Sequence, residues 1–159
     1  RDELTGAAAC MASTERRQGF SHGVTAADLN AALRRVGQDF FRVYVCVGPD
    51  SQDVVAVRIA LFGGGTSAVG LIASTHLEYL QSGATQLLIR HQLDDLAELG
   101  VTEFDFVGAN LPSVSAAKLA WGGELVPYYS LSRPPGMLRT HRHIRSAAGR
   151  TLRRIGLRD

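Results

Sequence analysis

The sequence predicts an α/β domain built on a mixed, mostly antiparallel sheet with helices on both faces, and three observations carry that prediction. Three apolar runs of strand character, FRVYVCVG, VVAVRIALF and AVGLIAST, are separated only by short turns at PDSQD and GGGTS, which makes them antiparallel neighbours. A stretch of helical length, GATQLLIRHQLDDLAELG, then separates AVGLIAST from a further short run, EFDFVG, and such a crossover returns the chain parallel. Two helical patterns precede the first strand. The chain of 159 residues has room for one core that needs no covalent staple.

Each element has its own justification. LTGAAACMASTERRQ reads as a helix closed by Gly19, and TAADLNAALRRVG as a second, with Thr25 as cap, Asp28 in the first turn and Gly37 at the end. Gly63, Gly64 and Gly65 look like a phosphate loop, but they join two strands and no lysine or helix follows, so a hairpin turn is expected. In the crossover helix Ile89, Leu93 and Leu96 form one stripe, and Gly100 ends it. After EFDFVG come a short helix, PSVSAAKLAWGG, and a final strand, ELVPYYSLS. The predicted order is ααβββαβαβ followed by a basic C-terminal helix. It divides into a domain over 1–132 and an arginine-rich tail over 133–159.

Composition narrows the function classes. At 45% hydrophobic and 20% charged residues the chain should fold into a globule. No apolar run reaches the roughly 20 residues of a membrane span, and the N-terminus lacks a secretory pattern, so a cytoplasmic location is expected. Cys10 and Cys46 sit within helical and strand patterns and read as free thiols. Charge is uneven. Eight arginines and no acid lie between Arg133 and Arg158, which leaves the first 132 residues net acidic. A basic tail on an acidic body fits a polyanion such as RNA, and it fits equally a solvated surface helix. If 139–156 is helical, Ile144, Ala148, Leu152 and Ile155 line one side, while Arg142, Arg145, Arg150, Arg153 and Arg154 remain for phosphate. His141 and His143 lack an acidic or thiol partner, and no metal site is expected.

In mixed sheets of this kind ligands bind beyond the carboxyl ends of the parallel strands. Here those ends carry Ser74, Thr75 and His76 on one side, with Glu78 among the substrate-binding candidates just after them, and Gly108, Ala109 and Asn110 on the other. Lys118, the only lysine in the chain, follows one loop and a helical turn later. Trp121 lies near it on the same short helix, either packing that helix or stacking on a base. Tyr128 and Tyr129 open the last strand and point to opposite faces, so one of them lines the cleft.

The strand order is that of the GNAT acyltransferase superfamily. Within it, FDFVGAN followed by AAKLAWGGELVPYY resembles the carboxyl-terminal half of the Fem-type aminoacyltransferases. That resemblance covers roughly residues 38 to 132 and is sharpest at 104 to 129. It implies transfer of an amino acid from aminoacyl-tRNA to the amine of a peptide or peptidyl-nucleoside acceptor, with aminoacyl-tRNA as co-substrate and no other cofactor. Fem-type enzymes usually carry two such domains and this length holds one, as in single-domain alanyl transferases of peptide-antibiotic assembly. Ala117 stands where an aromatic usually precedes the lysine. The coenzyme A loop of other GNAT proteins is absent as well, since that position reads THLEYLQSGATQ with Gly83 alone, so acetyl-CoA is disfavoured as donor.

Aminolysis of an ester passes through a tetrahedral oxyanion that needs charge or hydrogen-bond donors about 3 Å away. Lys118 can supply that charge, hold the terminal phosphates, or protonate the leaving hydroxyl. His76 is the first candidate to take the amine's proton, with Glu78 and Asp105 as alternatives. Two other functions remain compatible with the sequence: a non-catalytic GNAT-like module that binds RNA or protein, and a CoA-dependent N-acyltransferase.

Overall fold

In the computed structural model, residues 2–49, 52–63, 65–129 and 131 are described. Two helices open the chain, α1 (Glu3–Gln18) and α2 (Ala26–Val36). The Asp2 side chain caps α1, and Gly19 closes it in the left-handed region with φ 75°. At α2, Thr25 and Asp28 exchange side-chain and backbone hydrogen bonds in a complete capping box. The caps expected from sequence are therefore the caps observed.

Four strands follow, β1 (Phe41–Val47), β2 (Val54–Phe62), β3 (Ser67–Thr75) and β4 (Glu103–Asp105), ordered β1-β2-β3-β4 across one sheet. The first two pairings are antiparallel and β3 pairs with β4 in parallel. A single 3-10 turn (Leu77–Tyr79) and then α3 (Ala84–Glu98) make the crossover between the parallel strands. The short helix α4 (Pro112–Leu119) is the last element among the described residues.

β2 is buried on both sides because helices cover both faces of the sheet. Val57 and Ile59 join Ala7, Cys10, Met11 and Leu29 in a core under α1 and α2. Ala56, Ala60 and Phe62 turn the other way and pack with Leu88 and Leu96 of α3. This explains why VVAVRIALF is a continuous apolar run and not an alternating one. The buried stripe of α3 runs through Leu88, Ile89, Gln92 and Leu96, with Leu93 only half-buried. The core position after Ile89 is thus taken by a glutamine.

The predicted final strand differs from what is observed. Residues 124–129 have no strand, and Val126 and Tyr129 are largely exposed. Pro127 interrupts that run and removes a backbone donor that a paired strand would use. The chain clusters into two compact units, residues 1–123 and 124–159. The predicted basic helix over 139–156, with its arginines and with His141 and His143, lies outside the described residues.

Candidate active site

The site is built by a parallel pair that stops early. β4 pairs with β3 only through Ser67↔Glu103, Ala68↔Phe104 and Val69↔Asp105. β3 then continues alone on that edge as far as Thr75. Beyond the last pair the two strands no longer share hydrogen bonds, so backbone groups along that edge of β3 become available to a ligand.

Right at this point β3 carries a bulge. Ile59 faces Ile72 and Ala60 faces Gly70, so Leu71 is the extra residue on β3. A bulged residue drops out of the ladder and re-aims its backbone, a device common beside active sites. Leu71 is 45% exposed. On the α3 side of β3 the neighbouring positions are small: Ala68, Gly70 and Ala73. Gly70 must be small, since a Cβ there would lie 3.0 Å from Cζ of Phe104. Phe104 and Phe106 project to one side and meet edge to face, with centroids 4.9 Å apart.

Opposite this floor stands the segment after β4. Val107 has φ 60°, a left-handed conformation costly for a β-branched residue, and Asp105 Oδ1 accepts its N–H at 2.6 Å. Asp105 is thereby a turn-forming carboxylate. Lys118 reaches across from α4, and its ammonium donates to the carbonyls of Phe106 at 2.6 Å, Val107 at 2.9 Å and Gly108. All three ammonium N–H groups are thus engaged with backbone. Burial and the charge of Arg58 lower the Lys118 pKa, and Asp105 opposes them.

The remaining predicted residues fall into two groups. Gly108 is bound directly by Lys118, and Asn110 Nδ2 lies 3.9 Å from where a side chain on Gly108 would begin. The backbone N–H of Trp121 donates to the Lys118 carbonyl just past the end of α4, and the residue is half-buried. Thr75, His76 and Glu78 form the other group at the far end of β3, seven residues or about 23 Å along the strand from Val69 to His76. Thr75 is buried, its hydroxyl paired with Thr85 at 2.8 Å and its carbonyl accepting from Thr14. That threonine ties β3 to α1 and α3. His76 continues the pairing with β2 through its N–H to Val55, and no hydrogen bond or ion pair joins it or Glu78 to Lys118. Tyr128 is exposed in the unit beginning at Glu124.

Three residues were missed by sequence reasoning. Leu71 gave no signal, because a bulge leaves no mark on residue type. Arg58 and Gln92 did: a lone cation in the middle of VVAVRIALF, and a lone amide on the apolar stripe of α3, are polar groups where only apolar ones pack well.

The first turn of α3 is where a pyrophosphate would meet helix amides. Gly83 is its N-cap in the left-handed region with φ 82°, and no side chain caps the helix. Ser82 Oγ takes the Ala84 N–H. One amide of that turn is therefore already satisfied by the protein.

Comparison with known proteins agrees with this architecture. The profile of the acetyltransferase (GNAT) domain matches residues 1–113, and the chain belongs to that family. No curated protein matches the sequence. Among solved structures, an Agrobacterium tumefaciens protein assigned as an acetyltransferase superimposes with a TM-score of 0.63 at 14% identity, covering 83% of this chain and 94% of that one. Glucosamine-6-phosphate N-acetyltransferase of Arabidopsis thaliana gives 0.60 at 10% identity, over 84% and 91% of the two chains. AAC(6′)-Iy, bound to the bisubstrate analogue CoA-S-monomethyl-acetylneamine, gives 0.57 at 13% identity, over 76% and 86%. At these identities the likeness is one of fold. The protein is an acyltransferase of the GNAT family, and none of these matches is specific to Fem-type enzymes.

Proposed function

We propose that the protein transfers an acyl group from an activated carrier to an amine, with the reacting carbonyl held where β4 leaves β3. The observation that carries this reading is the coincidence of the Leu71 bulge with the last β3–β4 pair. A backbone group released from the ladder there can meet the oxyanion of the tetrahedral intermediate. Lys118 holds the opposite wall in place through the carbonyls of residues 106–108, and its charge biases the site toward a developing negative oxygen.

Two donors are each favoured by a specific observation. The run FDFVGAN…AAKLAWGGELVPYY and the missing glycine-rich loop favour an aminoacyl ester carried by tRNA, passed to the amine of a peptide or peptidyl-nucleoside acceptor. The glycine-led start of α3, whose N-cap Gly83 has no side chain to occupy the helix amides, and a structural neighbour bound to a CoA-derived analogue, favour a CoA thioester. Under the first reading the arginines at 142, 145, 150, 153 and 154 contact tRNA, and a water takes the amine's proton, since His76 stands at the other end of β3 from the β3–β4 divergence.

The deciding experiment offers the purified chain acetyl-CoA and a charged tRNA pool in parallel, each with a panel of amines and dipeptides, and follows label into acid-stable product. Transfer from one donor alone assigns it. Transfer from neither, with any acceptor, would sink the enzyme reading in favour of a binding module. With either donor, Leu71→Pro is expected to remove activity at least tenfold, because it deletes the backbone N–H of the bulge.

A further inference from the structure

The α3 face of the sheet holds a cluster that acyl transfer leaves unexplained. Arg58 sits at the middle of β2, 8% exposed, directly between Tyr44 on β1 and Ala73 on β3. Its Nε donates to Oε1 of Gln92 on α3 at 2.5 Å. Among the described residues no carboxylate forms an ion pair with it. Gln92 is fully buried, and its Nε2 has no partner. The guanidinium keeps four further N–H groups and the amide two, six donors against the one remaining lone pair of Gln92 Oε1.

Both features are costly. A buried cation without a counter-charge opposes folding, and so does a buried amide N–H left unmade. The same arginine beside a carboxylate already has a counterpart on this face: Arg42 pairs with Asp95, which also accepts from the Tyr44 hydroxyl at 2.7 Å. Among the described residues one guanidinium is thus neutralised and the other is not. The neighbour of Arg58 on β3 is the small, exposed Ala73, and Leu71 beyond it is exposed too. The cluster therefore borders the floor of the groove that starts at the β3–β4 divergence. Donors from β2 and α3 therefore meet at one place.

We propose that Arg58 and Gln92 form a subsite for an oxyanion group of the substrate, a carboxylate or a phosphate, seated over Ala73 with its oxygens on the free guanidinium N–H groups and the Gln92 amide. A planar carboxylate matches the guanidinium fork in two parallel hydrogen bonds, and a phosphate oxygen pair can do the same. The group bound is acceptor-only, which a neutral amide or alcohol is not. The subsite lies in the groove of the proposed acyl transfer but is read by binding alone, so its failure and that of the enzyme reading are separate events.

The test uses the full chain with sodium acetate and with inorganic phosphate as probes, against sodium chloride at matched ionic strength. Thermal unfolding is followed together with the Gln92 side-chain amide signals by NMR. A saturable rise in Tm, with movement of the Gln92 amide signals, is expected in the parent. In Arg58→Met the apparent Kd should rise at least tenfold. Gln92→Glu places a carboxylate beside Arg58, and it is expected to raise Tm without added anion and to abolish the response to it. Saturation by acetate alone assigns a carboxylate and by phosphate alone a phosphate, while saturation by both assigns the shared oxyanion chemistry. No saturable response to either probe, or a response in Arg58→Met or Gln92→Glu equal to the parent's, overturns the proposal. Should Arg58→Met fail to fold, Gln92→Glu decides it.

Discussion

Replacing Lys118 by methionine separates two roles that the sequence leaves merged. The substitution keeps the aliphatic stem and removes only the ammonium that binds the carbonyls of Phe106, Val107 and Gly108. A hydrogen bond to a charged group contributes about 1.5–3 kcal/mol when buried. Lys118 is only half-buried, so solvent screening brings each bond nearer 1 kcal/mol and the three together to about 2–3 kcal/mol. For a chain of this length each kcal/mol moves Tm by about 3 °C, giving an expected fall of about 6–9 °C. The loss should be local as well as global. Val107 holds a strained φ of 60°, and with its carbonyl released the segment can relax, so hydrogen exchange should quicken at residues 107 to 110. Thermal unfolding and exchange by mass spectrometry measure both. A Tm within about 2 °C of the parent, with unchanged exchange there, would refute the clip. If turnover were lost while those two held, the ammonium would act on the reacting atoms directly.

Two further perturbations test the frame around the site. Gly6→Ala, in α1, is favoured by helix propensity by about 1 kcal/mol, yet its Cβ would lie 2.6 Å from Cγ2 of Val54. Overpacking of that kind costs about 1–3 kcal/mol, so a net fall in Tm is expected, and a rise would mean that α1 does not dock on β2 as described. Asp95→Asn tests the polar network under α3. Burial alone would raise the Asp95 pKa, but hydrogen bonds from Tyr44 and Arg42 outweigh it and hold the carboxyl below its usual value. A depressed folded-state pKa contributes stability above the unfolded value, near 4, that is lost as pH falls through the folded one. The parent should therefore lose more stability than Asp95→Asn on going from pH 6 to pH 3, and parallel urea curves over that interval would contradict the network.

How much of this was legible in the sequence follows from what kind of physics fixed each part. Local rules fixed the helices: Thr25 with Asp28 and the left-handed Gly19 are short-range devices, readable without any partner. The strands were legible because three apolar runs with short turns admit few pairings, and the crossover length made β3 and β4 parallel. The last strand was misread because Pro127 was outweighed by the aromatic and β-branched residues around it, although a proline lacks the donor that pairing needs. At the site, the sequence puts Gly108 and Lys118 on a chain segment and the short helix that follows it, and the bond from the ammonium to the Gly108 carbonyl joins the two. It could not foresee that the ammonium would be taken up by main-chain carbonyls, which no residue type announces.

Arg58 shows the deeper limit, and also where a sequence argument can go further. Each strand was assigned by its dominant pattern, so the single cation inside VVAVRIALF was averaged away as noise on an apolar run. Physically it is the reverse of noise. A guanidinium at the centre of the middle strands, pushed down by burial to about 10, costs stability that any apolar residue of similar volume would avoid. The neighbouring Gln92 repeats the exception on the facing helix, and the two touch. Two independent departures from apolar patterning that meet across 34 residues of sequence and leave a surplus of unpaired donors are not explained by folding. They are explained by a group that arrives from outside, which is why the response of Gln92→Glu to added anion carries more information about this protein than any change at the residues the motif highlights.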